Sequence, residues 1–157
     1  GVRTIEVTRA DIADLRTVGD DTALFIHGKG KDEKADYVKV APQVETAIRA
    51  YITARGETEE SEIFTSTSRN NYGERMTTRS IRAIAKKSMV DAGYNSDRLT
   101  AHSMRHTAGT LALLMGASTR EVQQLLRHSN INTTMIYAHE LDRAKNNSEL
   151  KVANAIF

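Results

Sequence analysis

The sequence predicts an α+β fold, mainly helical, with a small three-stranded antiparallel sheet. Three observations predict it. Short β-prone runs near the N-terminus are separated by turn residues, apolar residues from position 44 onward recur at helical spacing, and the C-terminal half is almost wholly helical in pattern. A chain of 157 residues, 39% of them apolar, has the size of one globular domain with a real core.

The opening GVRTIE reads as the last turn of a helix whose beginning lies upstream. ADLRTV, TALFIH and ADYVKV follow as β runs, divided by GDD and by GKGKDEK, which gives an antiparallel meander. The single proline, Pro42, then introduces a helix. Its Val44, Ala47, Ile48, Tyr51 and Ile52 share one face, and Gly56 stops it. After the acidic ETEESE come a short apolar EIFTS, a polar SRNNYGER connection and a helix from about Thr78 to Ala92, closed by Gly93. In that helix Ile81, Ile84, Ala85 and Met89 are expected to face a core, while Arg79, Arg82 and Lys86 line another side. That basic stripe suits either a solvated face or contact with nucleic-acid phosphates.

A helix over residues 105 to 115 ends at Gly116, and Ser118 with Glu121 forms an S-x-x-E capping box before Val122, Leu125 and Leu126. NINTT offers an Asn or Thr cap for a short helix carrying Tyr137. SELKVANAIF closes the chain with Leu150, Ala153, Ile156 and Phe157 on one side. No internal repeat and no low-complexity tract interrupts this order.

Composition narrows the function. No run of about 18 apolar residues and no basic, apolar and small-residue export pattern is present, so a cytoplasmic address is expected. With no cysteine, neither disulfides nor thiolate zinc sites can form. The net charge of +2 says little, but its distribution says more: residues 69 to 106 hold eight Lys/Arg against three Asp/Glu, a balance of +5 (8 − 3).

The stretch HSMRH, residues 102 to 106, puts titratable and cationic side chains where an apolar helix begins. His102 and His106 are spaced as in H-E-x-x-H, but Ser103 stands where that motif has its carboxylate, which argues against a metal. LALLMG, AST and REVQQLLRH together can also be read as a helix-turn-helix. A third reading gathers the arginines and histidines as an anion site, suited to a phosphodiester.

The order of the polar residues decides among these. Arg3 and Glu6 in GVRTIE, Lys29 in GKG, His102 and Arg105 in HSMRH, His128 in LLRH and Tyr137 in MIYAH form an ordered set that resembles the catalytic domain of the tyrosine recombinases, the integrases of phages and conjugative transposons. The resemblance covers essentially the whole chain and is most specific in H-x-x-R-H-T and in LLRHSNINTTMIYAH, with Tyr137 nine residues after His128.

It implies a single catalytic domain, 1–157, without the N-terminal DNA-binding domain and first catalytic-domain helices of that family. It also implies site-specific recombination of double-stranded DNA through a covalent 3′-phosphotyrosyl intermediate, with no cofactor. Arg3 and Arg105 would clamp the phosphate, His128 would donate a hydrogen bond and His102 would relay a proton. Lys29 would protonate the leaving 5′ oxygen, in preference to Lys31 and Lys34 of the same loop, and Tyr137 would be the nucleophile.

Glu6 is expected to orient an arginine, and His106 to support the site from behind. Arg127 stands where the family has glycine and adds a cation for DNA beside Arg79, Arg82 and Lys86. Gly109 stands where the family more often has alanine. The implied assembly is a monomer in solution and a tetramer on DNA, with the C-terminal tail docked either on its own domain or on a neighbour. A type IB topoisomerase and a noncatalytic DNA-binding protein are the alternatives.

Overall fold

A computed structural model describes residues 1–27, 36–56 and 62–156. They form two compact units, Val2–His102, and Ser103–Phe157 together with Gly1.

The first of these contains α1 (Thr4–Thr8), a 3₁₀ turn (Ile12–Asp14), β1 (Leu15–Val18), β2 (Asp21–Ile26), β3 (Asp36–Lys39), α2 (Pro42–Arg55) and α3 (Thr78–Asp91). The three strands form an antiparallel sheet in the order β1-β2-β3, with Leu15 opposite Leu24 and Leu24 opposite Val38. The meander is as the sequence predicts. Gly19, at φ 62°, lies in the two-residue turn between Val18 and Asp21, where the tight reversal requires a left-handed backbone.

Alternation along β2 sends Leu24 and Ile26 into a core with Ala10 and Ile63. Phe25 is covered on the other face by Tyr37, ring centroids 5.4 Å apart, and by the Arg16 guanidinium, 4.8 Å from its centroid. Tyr37 remains 44% exposed, so it is a sheet-surface ring rather than the core residue its strand position suggests.

Pro42 occupies the first turn of α2, where its missing N–H costs nothing. The buried face of α2 is narrower than predicted: Ile52 is buried and Ile48 packs on the sheet core, while Val44 and Ala47 are exposed. Ile48 is the α2 residue that packs on the cluster of Ala10, Leu24, Ile26 and Ile63. Tyr51 lies against Phe64 and exchanges long hydrogen bonds of 3.3 and 3.4 Å with the Thr65 main chain.

Residues 62–75 are tied down by Arg75, which donates to the Thr8 carbonyl at 2.8 Å and to Asp11 at 2.7 Å. Thr77 caps α3 by accepting from the Ser80 N–H. In α3, Ile81, Ala85 and Met89 are partly buried, but Ile84 is half exposed, because the five-residue α1 that packs there covers only a strip.

The other unit comprises most of α4 (Ala101–Leu114), with α5 (Thr119–Leu126), α6 (Asn132–Lys145) and α7 (Ser148–Ile156). Val122, Leu126 and Tyr137 form its core, lined by Ala112, Leu113 and Ala117. The Ser118–Glu121 capping box is present, with the Ser118 N–H donating to Glu121 at 2.7 Å and the Glu121 N–H to Ser118 at 3.3 Å.

Two helices here differ from expectation. α4 begins four residues early, so HSMRH lies within its first two turns. α6 runs for 14 residues rather than being short, and no side chain of the residue at its cap position, Ile131, closes it. Asn130 performs that task from one residue earlier, accepting from the Asn132 N–H at 2.9 Å. Along α7, Leu150 and Ile156 are exposed and Ala153 partly so; Phe157 lies outside the described residues. Among the described residues no helix is long and apolar enough to cross a membrane.

Candidate active site

Arg3 is not in the last turn of a helix, as predicted, but at the position preceding α1. The reason is Glu6, at the third position of the helix. One carboxylate oxygen accepts the Arg3 backbone N–H at 2.6 Å, and the other accepts Nη1 of Arg3 at 2.9 Å. That carboxylate is fully buried, and the Arg3 side chain is about one-third exposed. Glu6 thus fixes both the start of α1 and the direction of the guanidinium, the orienting task expected of it.

Lys29, with Lys31 and Lys34, lies outside the described residues. His102 is exposed in the first turn of α4.

Arg105, one helical turn further along α4, is 3% exposed. Its Nη1 donates to the Gly1 carbonyl and its Nη2 to the Leu126 carbonyl at the end of α5. Two of the five guanidinium N–H groups are therefore engaged by main-chain oxygens, which fix the plane of the fork.

His128 follows α5. Its backbone N–H donates to the Gln123 carbonyl at 3.1 Å, its own carbonyl accepts Nε2 of Gln123 at 3.1 Å, and its Nδ1 lies 2.9 Å from Oγ1 of Thr134. Arg127, just before it, is the only non-glycine residue with positive φ among the described residues, at φ 51° and ψ 50°. Arg127 is the C-cap of α5, and it adopts the left-handed conformation that glycine takes without strain.

Tyr137, on α6, is 3% exposed. Its ring lies nearly parallel to that of His128, centroids 6.2 Å apart and planes 14° apart, and 4.9 Å from the His106 ring. Gly109 lies close by: a Cβ there would crowd Cδ1 of Leu126 at 2.9 Å but stand in ordinary contact, 3.7 Å, with Cε1 of Tyr137. Burial raises the phenol pKa above its ordinary 10.0, against the pull of the Arg105 charge and with a further rise from Glu140. At neutral pH the hydroxyl is thus protonated and needs a base to become a nucleophile. Of the other tyrosines, Tyr72 and Tyr94 are exposed, at 78% and 64%.

The structure therefore brings Arg105, His106, His128 and Tyr137 together in one unit, with Arg127 beside them. Arg3, His102 and the α3 cations belong to the other. Arg79 and Arg82 are exposed on α3. Lys86 instead turns back, its Nζ donating to the Ser96 carbonyl at 2.5 Å and more weakly to that of Leu99 at 3.4 Å. Its charge holds the loop after α3.

Thr134, fully buried against His128, was missed from sequence. Its position three residues before Tyr137, hence on the same face of α6, was the available signal. Among the described residues no cluster of three or more His, Asp or Glu could hold a metal ion.

The phage integrase family model matches residues 1–144. The chain is 36% identical over 141 residues to the tyrosine recombinase XerC of Listeria innocua, across 88% of this chain and 45% of that protein. It is 31% identical over 144 residues to XerD of Staphylococcus epidermidis, with 88% and 46% covered. Among solved structures, the crystal structure of XerA recombinase matches with a TM-score of 0.69 at 26% identity, over 98% of this chain and 51% of that one. The chain spans about half the length of the curated relatives it matches. It belongs to the phage integrase family, and its mainly helical α+β fold is that of a tyrosine recombinase catalytic domain.

Proposed function

We propose that this chain carries the chemistry of site-specific DNA recombination, in which Tyr137 cleaves and rejoins the strands. The observation that supports it most is the packing of Tyr137 beside His128 and within the field of Arg105.

In the proposed reaction the Tyr137 oxygen attacks phosphorus, a 3′-phosphotyrosyl ester forms and the 5′ oxygen leaves. The ester conserves the bond energy, so rejoining by a 5′ hydroxyl needs no ATP. Arg3 and Arg105 offer planar forks to the nonbridging oxygens, whose charge rises in the pentacoordinate transition state. His128 donates a further hydrogen bond, His102 takes or relays the phenol proton, and Lys29 protonates the leaving oxygen. Because Tyr137 is buried, it must move outward to reach a scissile phosphate, so DNA binding and exposure of the nucleophile are coupled in this reading.

Arg79, Arg82 and Arg127 would meet the DNA backbone. Lys86, already bonded to two carbonyls, would add charge with little reach. Strand exchange requires four such sites around two duplexes. We propose a monomer in solution that assembles on DNA, with the apolar strip of α7 (Leu150, Ala153, Ile156) docking on a neighbouring protomer. The chain is proposed to act on DNA in the cytoplasm.

The test is incubation with nicked suicide substrates followed by denaturing electrophoresis. A covalent adduct with recombinant joints supports the proposal. Supercoil relaxation without recombinants would favour a type IB topoisomerase, and binding without any adduct would favour a noncatalytic protein.

A further inference from the structure

A histidine that donates a hydrogen bond to phosphate must carry its proton on the nitrogen facing the phosphate. Which nitrogen holds the proton is set by the partner of the other. Had Nδ1 of His128 faced a main-chain carbonyl, that acceptor would have drawn the proton to Nδ1 and left Nε2 bare in the neutral ring. Its partner is instead a hydroxyl, Oγ1 of Thr134, at 2.9 Å. A hydroxyl can donate to a bare Nδ1, or rotate and accept from a protonated one.

Thr134 is fitted for this. It is fully buried, so no water competes for the contact, and it sits within the first turn of α6, three residues before Tyr137. The histidine is held from the other side by its backbone, through the two hydrogen bonds with Gln123. The main chain and the Nδ1 edge of the ring are thus both held, and the ring lies nearly parallel to that of Tyr137. Of the ionisable groups, Tyr137 on α6 lies against the ring and Arg127 precedes it in the chain, while Arg105 and His106 on α4 reach Tyr137.

We infer that Thr134 is a positioning residue that keeps the proton of neutral His128 on Nε2, by donating its hydroxyl to Nδ1, and accepts from Nδ1 when the ring is charged. His128 then presents an Nε2–H donor in both protonation states, and one α6 face carries both the nucleophile and the group that tunes its neighbour. This rests on the recombinase reading for its catalytic meaning but not for its geometry.

The test therefore has two arms. The first is a long-range 1H–15N correlation spectrum of the imidazoles in the DNA-free chain at about pH 8, where an ordinary histidine is neutral. His128 is assigned among the five histidines by its loss in His128→Asn. The expected spectrum has a protonated Nε2 and a bare Nδ1, kept in Thr134→Ser and lost to a mixture of tautomers in Thr134→Val. Should the valine variant not fold, Thr134→Ala serves in its place. A proton on Nδ1 in the parent chain, or a spectrum unchanged when the hydroxyl is removed, overturns the inference.

The second arm is single-turnover cleavage of a suicide substrate. Thr134→Ser should cleave within a few-fold of the parent. The valine or alanine variant should lose about tenfold or more, though no more than the roughly 10²- to 10³-fold typical of deleting a transition-state donor. Equal rates in the serine and valine variants would count against a role in cleavage. If the parent chain cleaves nothing, the recombinase reading fails while the spectrum still decides what Thr134 does to His128.

Discussion

The guanidinium of Arg105 donates to the main-chain carbonyl of Leu126, joining the start of α4 to the end of α5 from a position that is 3% exposed. The proposed phosphate clamp is therefore also a structural tie. Arg105→Ala should destabilise the protein by about 1–3 kcal/mol, the range for leaving a buried hydrogen-bonding group without its partner. Arg105→Lys, which keeps a donor but not the fork, should lose less. His102→Ala, at an exposed site on the same helix, should stay within about 0.5 kcal/mol of the parent. Urea unfolding midpoints measure all three, and an Arg105→Ala variant as stable as the parent would contradict the tie.

Arg127 exchanges stability for charge. An L-residue in the left-handed region costs about 1–2 kcal/mol, partly offset in a glycine variant by the greater freedom of its unfolded chain. Arg127→Gly should therefore raise stability by about 0.5–1 kcal/mol and weaken DNA binding, with a shallower salt dependence. A variant that is less stable would mean that the arginine side chain, rather than the backbone conformation, decides the energy there.

How legible was this in the sequence? The meander was, because turn residues divide its β runs at lengths no helix fits. The Ser118–Glu121 box was, because its pattern is local. Arg3 was misread although the signal was present: Glu6 three residues later is the capping-box carboxylate, but arginine is not a residue that announces a helix start. Arg105, His128 and Tyr137 could be singled out by order and spacing. The burial of Arg105, the turning back of Lys86 and the pairing of Thr134 with His128 could not be, since each depends on which distant main-chain or side-chain atom packing brings near.

Tyr137 gives a pH signature whose sign is fixed by burial. Its pKa is raised in the folded state, so the folded protein holds the proton more tightly than the unfolded chain. The stabilisation tied to the neutral phenol is complete below the ordinary value of 10.0 and is lost as pH climbs from there through the folded value. In a tyrosinate absorbance titration, the component missing from Tyr137→Phe should lie above 10, and that variant should resist alkaline unfolding better than the parent. A Tyr137 component at or below 10 would contradict the burial.

Lys29 can be probed chemically. A substrate with a bridging 5′-phosphorothiolate has a leaving group that scarcely needs a proton. Lys29→Ala should be slow on ordinary DNA and largely restored on this substrate. Restoration of Lys31→Ala instead would move the general acid along the loop.

The most direct measurement of the central claim is peptide mapping of the covalent adduct formed on a suicide substrate in the presence of chelator and without ATP. The account requires a nucleotide joined through its 3′ phosphate to Tyr137, and no adduct from Tyr137→Phe. An adduct on another residue, or one that survives in Tyr137→Phe, would contradict it.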